Sequence, residues 1–309
     1  MNFVDFAAAL GVVINTLPPI GEWKRFPTID HPKKRNGSAR FFGDYGHVCN
    51  FETGEDAHLW RPDSTEAPQI DHEAIRRVQE AEAQRIREAQ AAAAKKAGFI
   101  MHSCRNDIHA YMASKGFPEE RVKVWEDEGI QKMIVPMRVG EALVNVQQIW
   151  HERDQFGDPV FKNNGKPKYV KKFLYQARAK DAEFIMDNRG VDVLCEGFAT
   201  AYSARMMMAA LKFRYRLHVT FSAGNMKRIA EKLPSGILIV DHDTVIPPGQ
   251  TMPTGQRIAQ EIGWPTWMSS TPGFDLNDEH QSVGLFQASQ SLRKVLVEAQ
   301  RQQRVSRPV

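Results

Sequence analysis

The chain has 309 residues, of which 42% are hydrophobic, and 41 Lys and Arg stand against 37 Asp and Glu for a formal net charge of +4. That is long for one domain and enough for two or three soluble, packed ones, while the charge by itself is too small to argue for a nucleic-acid partner. Cys49, Cys104 and Cys195 lie far apart with no C-x-x-C pair, which excludes a disulfide framework and a cysteine zinc site and points to a reducing, cytoplasmic setting; no apolar run of about 18 residues exists to make a membrane span.

The first stretch, "MNFVDFAAALGVVINTL", has no basic leader region and carries Asp5 within its apolar run, so it reads as a short amphipathic helix rather than a signal peptide. It opens a segment, residues 1–68, rich in Gly, Pro, aromatics and charge, in which Ala39–Phe42 and His47–Phe51 flank the turn-forming "GDYG". This predicts a small β-rich module without room for a large core.

Residues 69–98 predict one long helix from Glu73 to Lys96, capped by Asp71 and ended by Gly98. Its apolar stripe is thin, Ile75, Val78 and Ile86, and Glu and Arg recur at i,i+4 spacing, which fits a solvated linker; a partner-binding helix is the other reading.

Residues 99–187 are mixed. "NDIHAYMASKGF" predicts a helix ending at Gly116, "KMIVPMRV" and "ALVNVQQIWH" predict strands turning at Gly140, and "PKYVKKFLYQA" a third extended piece. From Lys162 to Lys180 the basic residues are Lys162, Lys166, Lys168, Lys171, Lys172, Arg178 and Lys180, interleaved with Tyr169, Phe173 and Tyr175 around a turn at Asn163, Asn164 and Gly165. Such a ribbon fits a polyanion backbone with bases stacking nearby, and it equally fits a solvated hairpin.

From Val191 the pattern becomes strict alternation of strand and helix: "VDVLCEG", "FATAYSARMMMAALKF", "LHVTFSAG", "NMKRIAEKL", "GILIVDHD", "TGQRIAQEIG" and "PTWMSS". That predicts an α/β domain with a parallel sheet over residues 188–283. A last helix, Gly284 to Gln303, and a basic tail make up residues 284–309.

Ligands of open parallel sheets bind beyond the carboxyl ends of the strands, and the acids fall there. Glu196 follows one strand, Asp241 and Asp243 another, and Asp275 and Asp278 lie in "TPGFDLNDEH" after the last. Two like charges about 4 Å apart repel by about 4 kcal/mol at an effective dielectric near 20, so a cluster of ionised carboxylates calls for a cation; an all-oxygen set selects Mg2+ or Mn2+. Asp241 and Asp243, two apart, face one side and His242 the other. Taken singly, each of these acids also fits a helix cap or a turn.

The series "VLCEGFATAYSA", "VTFSAGNMKRIAEKLP", "ILIVDHDT", "TGQRIAQEIG" and "GFDLNDEH" resembles a TOPRIM domain, the catalytic fold shared by bacterial-type DNA primases, type IA and II topoisomerases and some nucleases. The closing Asp-Leu-Asn-Asp-x-His is most similar to the stand-alone primases of phages, plasmids and integrated mobile elements. Upstream, "AYMASKGF", "MIVPMR", "LVNVQQIW" and "KKFL" are similar, more weakly, to the α+β N-terminal half of the primase core. The first module occupies the place of a zinc ribbon but lacks zinc cysteines, so no zinc is expected.

The resemblance implies a Rossmann-like TOPRIM sheet and synthesis of RNA primers from NTPs on single-stranded DNA. It implies Asp241 and Asp243 as principal metal ligands, Asp275 and Asp278 beside them, and Glu196 as ligand or general base. Arg138, Lys166, Lys168, Lys171 and Lys172 become the implied template or triphosphate contacts. With no G-x-x-x-x-G-K-[ST] loop for a helicase of its own, the chain would be recruited by a separate one. A TOPRIM nuclease and a non-catalytic replication factor are the rival readings.

Overall fold

A computed structural model describes residues 1–54, 56–62, 72–162, 165–247 and 250–305. The expected Asp71 cap, the Asn163 and Asn164 part of the ribbon turn and the tail beyond residue 305 lie outside the described residues. The fold is mixed α/β, and the chain divides into two compact units, Met1–Glu88 with Val245–Thr254, and Ala89–Thr244 with Gly255–Val309.

In the first unit, α1 (Phe3–Ala9) is capped by Asn2, whose side chain accepts the Asp5 N–H at 2.8 Å. Strands β1 (Lys24–Phe26), β2 (Gly37–Phe41), β3 (Gly46–Asn50) and β4 (His58–Trp60) form an antiparallel sheet in chain order. The module does own a core: Phe3, Val12, Phe26, Ala39, Val48 and Trp60 are buried together. Phe3 packs so close that a Cβ on Gly46 would meet its ring at 2.4 Å, so only glycine fits there.

Helix α2 (His72–Ser103) does not stop at Gly98. Ala97 and Ile100 are fully buried against Ile134, Val146 and Leu174, and that burial outweighs the roughly 1 kcal/mol that one internal glycine costs a helix.

The second unit holds two five-stranded sheets. The first, antiparallel, is β5 (Arg105–Asp107), β6 (Val122–Asp127), β7 (Ile130–Val139), β8 (Ala142–His151) and β9 (Tyr169–Phe173), in that order. The helix expected from Asn106 is shorter, α3 (Ala110–Ser114), because Arg105–Asp107 pairs with β6 and His109 caps the helix start, its Nδ1 accepting the Tyr111 N–H at 3.1 Å.

The second sheet runs β10 (Phe184–Asp187), β12 (Tyr215–Val219), β11 (Val191–Cys195), β13 (Ile237–Val240), β14 (Thr266–Met268). β10 is antiparallel to β12; the other neighbours are parallel. Helices α4 (Phe198–Ala210), α5 (Ala223–Ala230), α6 (Thr254–Ile262) and α7 (Leu276–Val305) complete it. Val193, Cys195, Ile237 and Ile239 join Met207, Leu292 and Leu296 in one cluster, whereas Leu194, Leu238 and Val240 join Met226, Ile229 and Ala259 in another. Burial on both faces explains why β13 is continuously apolar and why β11 is apolar from Val193 to Cys195.

The two sheets are stitched where Arg138 of β7 and Glu183 exchange backbone hydrogen bonds of 2.9 and 2.8 Å. The last helix begins at Leu276, ahead of the expected Gly284, which instead breaks it with φ 78°. Among the described residues no helix is long and apolar enough to cross a membrane.

Candidate functional site

Glu196 and Asp241 follow directly from the C-termini of two adjacent parallel strands, β11 and β13. Glu196 is held by its carbonyl, which accepts the Phe221 N–H at 3.2 Å, and its carboxylate accepts the Ala223 N–H at the start of α5. A Cβ on Gly255 would stand 3.7 Å from Glu196 Oε1, so α6 begins beside the acid without a side chain intruding.

Burial, then the charges of Asp241 and Asp243, push Glu196 up to about 7. Burial, then Asp275 and Asp243, push Asp241 up to about 7 against the opposing pull of Lys171. Partial desolvation raises Asp243 as well, although that residue is open to solvent. The acids therefore stand in each other's fields with too little positive charge among them. Among the described residues, no three His, Cys, Asp or Glu side chains are already drawn together as a set that could hold a metal ion; carboxylates that repel each other have no reason to converge before a cation joins them.

The donor chemistry nevertheless fits a hard divalent ion. Glu196, Asp241 and Asp243 offer only oxygen, and their mutual repulsion is what such an ion relieves.

Asp275 and Asp278 have a structural duty. Asp275 Oδ1 accepts the Asp278 N–H at 2.7 Å, and Asp278 Oδ2 accepts the Asp275 N–H at 3.4 Å, a reciprocal cap that starts α7. Each bond engages one carboxylate oxygen and leaves the other.

His242 points away from the acids. Its Nδ1 donates to the Ser269 carbonyl at 2.8 Å, its N–H donates to Phe274 O at 3.0 Å, and its own carbonyl accepts the Gly273 N–H at 2.7 Å. These bonds fasten the loop carrying Asp275 to the end of β13, which is how two acids distant in sequence come within each other's field. In the same motif Asn277 is fully buried and donates to Lys115 O at 2.8 Å and Ser203 Oγ at 3.0 Å, locking α7 to α4 and to the end of α3.

Beside Asp275 and Asp278 opens a cleft of about 470 Å³ whose walls include Tyr111, Lys115, Lys162, Lys166, Tyr169 and Lys171. Water reaches Lys171, but protein surrounds it on most sides. Partial desolvation lowers its pKa, with Asp275 and Asp241 pulling the other way. Its ammonium also lies 5.4 Å from the centroid of the Tyr111 ring.

Of the five basic residues singled out in the sequence, Lys166 and Lys171 line this cleft and the other three do not. Lys172, one residue along β9, is on the opposite face and lies 5.8 Å from the Trp150 ring. Lys168 pairs with Glu152 at 2.9 Å, and Arg138 Nη1 donates to Glu141 O at 2.6 Å in the β7–β8 turn. Lys115 and Tyr111 were not legible as site residues. They lie on and just after a short helix far from the acids in sequence, and tertiary contacts such as Asn277 to Lys115 O and Phe117 to His280 bring them to the cleft.

Compared with protein-family models, with curated proteins and with solved structures, the chain matches none of them.

Proposed function

We propose that the chain is a metal-dependent nucleotidyltransferase, a TOPRIM-type DNA primase that joins NTPs on a single-stranded DNA template in the cytoplasm. The observation that carries this reading is the juxtaposition of Glu196 and Asp241, delivered by adjacent parallel strands, with a lysine-lined cleft bordered by Asp275 and Asp278. Clustered, partly buried acids serve a divalent ion, and a lysine cleft alongside serves phosphates; phosphoryl chemistry uses both together.

Glu196, Asp241 and Asp243 would hold Mg2+ or Mn2+, and Asp275 and Asp278 would each keep for it the carboxylate oxygen that the cap does not engage. Bound there, the ion supplies positive charge to the reacting phosphate and lowers the cost of a deprotonated hydroxyl. Lys166 and Lys162 bind phosphate oxygens, and Lys171 sits between the phosphates and Asp241. The 3'-hydroxyl oxygen bonds to the α-phosphorus as the bond to the bridging oxygen breaks, and pyrophosphate leaves. Glu196 either shares the ion or receives the hydroxyl proton. A separate helicase is the partner that would bring the chain to its template.

Primer synthesis on single-stranded DNA with labelled NTPs and Mg2+ or Mn2+ tests this. Short products should form with the unaltered chain, and Asp241→Asn should lower their rate by at least about a hundredfold. Cut template strands in place of products would identify a nuclease using the same acids, and neither product nor cleavage would leave a binding factor.

A further inference from the structure

We infer that Phe161 is a stacking platform for an unpaired base of a polynucleotide strand, carried on the arm whose Lys162, Lys166 and Pro167 line the cleft. The inference rests on the nucleic-acid part of the proposed function, and it concerns an arm formed by residues 151–162 and 165–168.

The arm folds twice. Val160 N–H donates to Glu152 O at 2.8 Å, Lys168 N–H to Val160 O at 2.9 Å and Glu152 N–H to Lys168 O at 2.8 Å, so three short extended pieces lie side by side. Phe161 bridges to Pro167 and His151 pairs with Tyr169, and directly paired residues share a face. Pro167 and Tyr169 line the cleft. Phe161 and His151 therefore share the face of Pro167 and Tyr169, beside the cleft those two help to line.

On that face the rings form a continuous ladder. Phe161 meets His151 edge-on at 5.5 Å, His151 stacks on Tyr169 at 5.2 Å, and Tyr169 meets Tyr111 edge-on at 5.1 Å. The inner end is closed, since Tyr111 is 1% exposed, whereas the outer ring, Phe161, is 56% exposed. The ladder is rigid: His151 Nε2 donates to Val160 O at 3.1 Å, and the Tyr169 side chain is hydrogen-bonded to Ser114.

A phenyl ring held in place with half its surface open, next to Lys162, is what a single strand needs. The ring accepts the face of any base, and the lysines follow the backbone. An aromatic side chain has few rotors to fix and so loses little entropy on binding.

The test is equilibrium binding in EDTA, by fluorescence anisotropy, of labelled oligothymidylate and of a labelled abasic oligomer of the same length. Phe161→Ala should weaken binding of oligothymidylate about tenfold and leave the abasic oligomer unchanged, and Phe161→Trp should restore it. Equal weakening for both oligomers, no weakening for either, or an unaltered chain that binds the two alike would each overturn the inference. No turnover enters this measurement, so its outcome is separable from that of primer synthesis. A chain that makes no primers yet shows the difference keeps Phe161 and loses the priming reading, and a chain that primes without the difference does the reverse.

Discussion

His218 is 2% exposed and lies between two carboxylates, with Glu183 Oε2 2.6 Å from Nδ1 and Asp192 Oδ1 3.0 Å from Nε2. A neutral ring can donate to only one of them and would turn a lone pair toward the other. Burial pulls its pKa down, but the hydrogen bonds and charges of Asp192 and Glu183 outweigh burial and raise it. A raised folded pKa adds stability that is fully present below the unfolded value and is lost as the pH climbs through the folded one. His218→Gln should therefore cost about 3 kcal/mol in urea unfolding at about pH 5.5, and the cost should shrink by about pH 8.5. A cost that does not vary with pH would mean that folding leaves the ring's pKa unchanged, and a cost that grows with pH would mean that the fold holds the ring neutral.

Two glycines with opposite surroundings give predictions of opposite sign at the level of an element. Gly236 introduces β13, and a Cβ there would lie 2.4 Å from the Trp264 ring and 2.7 Å from Asp192 O, a backbone atom of the neighbouring strand. Gly236→Ala must push β13 away from β11 and should lower stability by about 2 kcal/mol. Gly98 is inside α2 with nothing within 4 Å of its would-be Cβ, so Gly98→Ala should raise stability by about 1 kcal/mol. Urea unfolding of both variants checks the pair.

The same elements show what could be read from the chain alone. β11, β13 and the helices between them were legible because both faces of each strand are buried toward its end, which writes a short apolar run, Val193–Cys195 or Ile237–Val240, followed at once by Glu196 or Asp241. β6 and β10 were not. "VKVWED" alternates over only a few residues, and "FIMD" is an antiparallel edge strand whose pairing with β12 depends on residues far along the chain. The capping role of Asp275 and Asp278 was legible as one of two alternatives, since the spacing of a cap and of a ligand pair is the same. The arm's ring ladder was not, because His151 meets Tyr169 only across paired strands.

Over the whole molecule the charge is unevenly placed. Residues 162–180 carry seven Lys and Arg and no acid, more than the net +4 of the entire chain. Folding spends these charges in different ways. Arg178 pairs with Asp181 at 3.1 Å, Lys168 with Glu152, and Lys172 lies over Trp150, whereas Lys162, Lys166 and Lys171 line the cleft, and Lys180 belongs to neither set. Under the proposed reading only the cleft lysines displace counterions from a bound strand, and each phosphate neutralised contributes a slope of about 0.7 to the fall of log affinity with log salt for single strands. The double variant Lys162→Ala, Lys166→Ala should thus flatten that slope by about 1.4, whereas Lys168→Ala with Lys172→Ala should leave it unchanged. Titrations of oligothymidylate at several salt concentrations read both slopes. If the second pair flattened the slope as much as the first, the strand would run along the opposite face of β9, and the acids at the end of β13 would have to be reached from elsewhere.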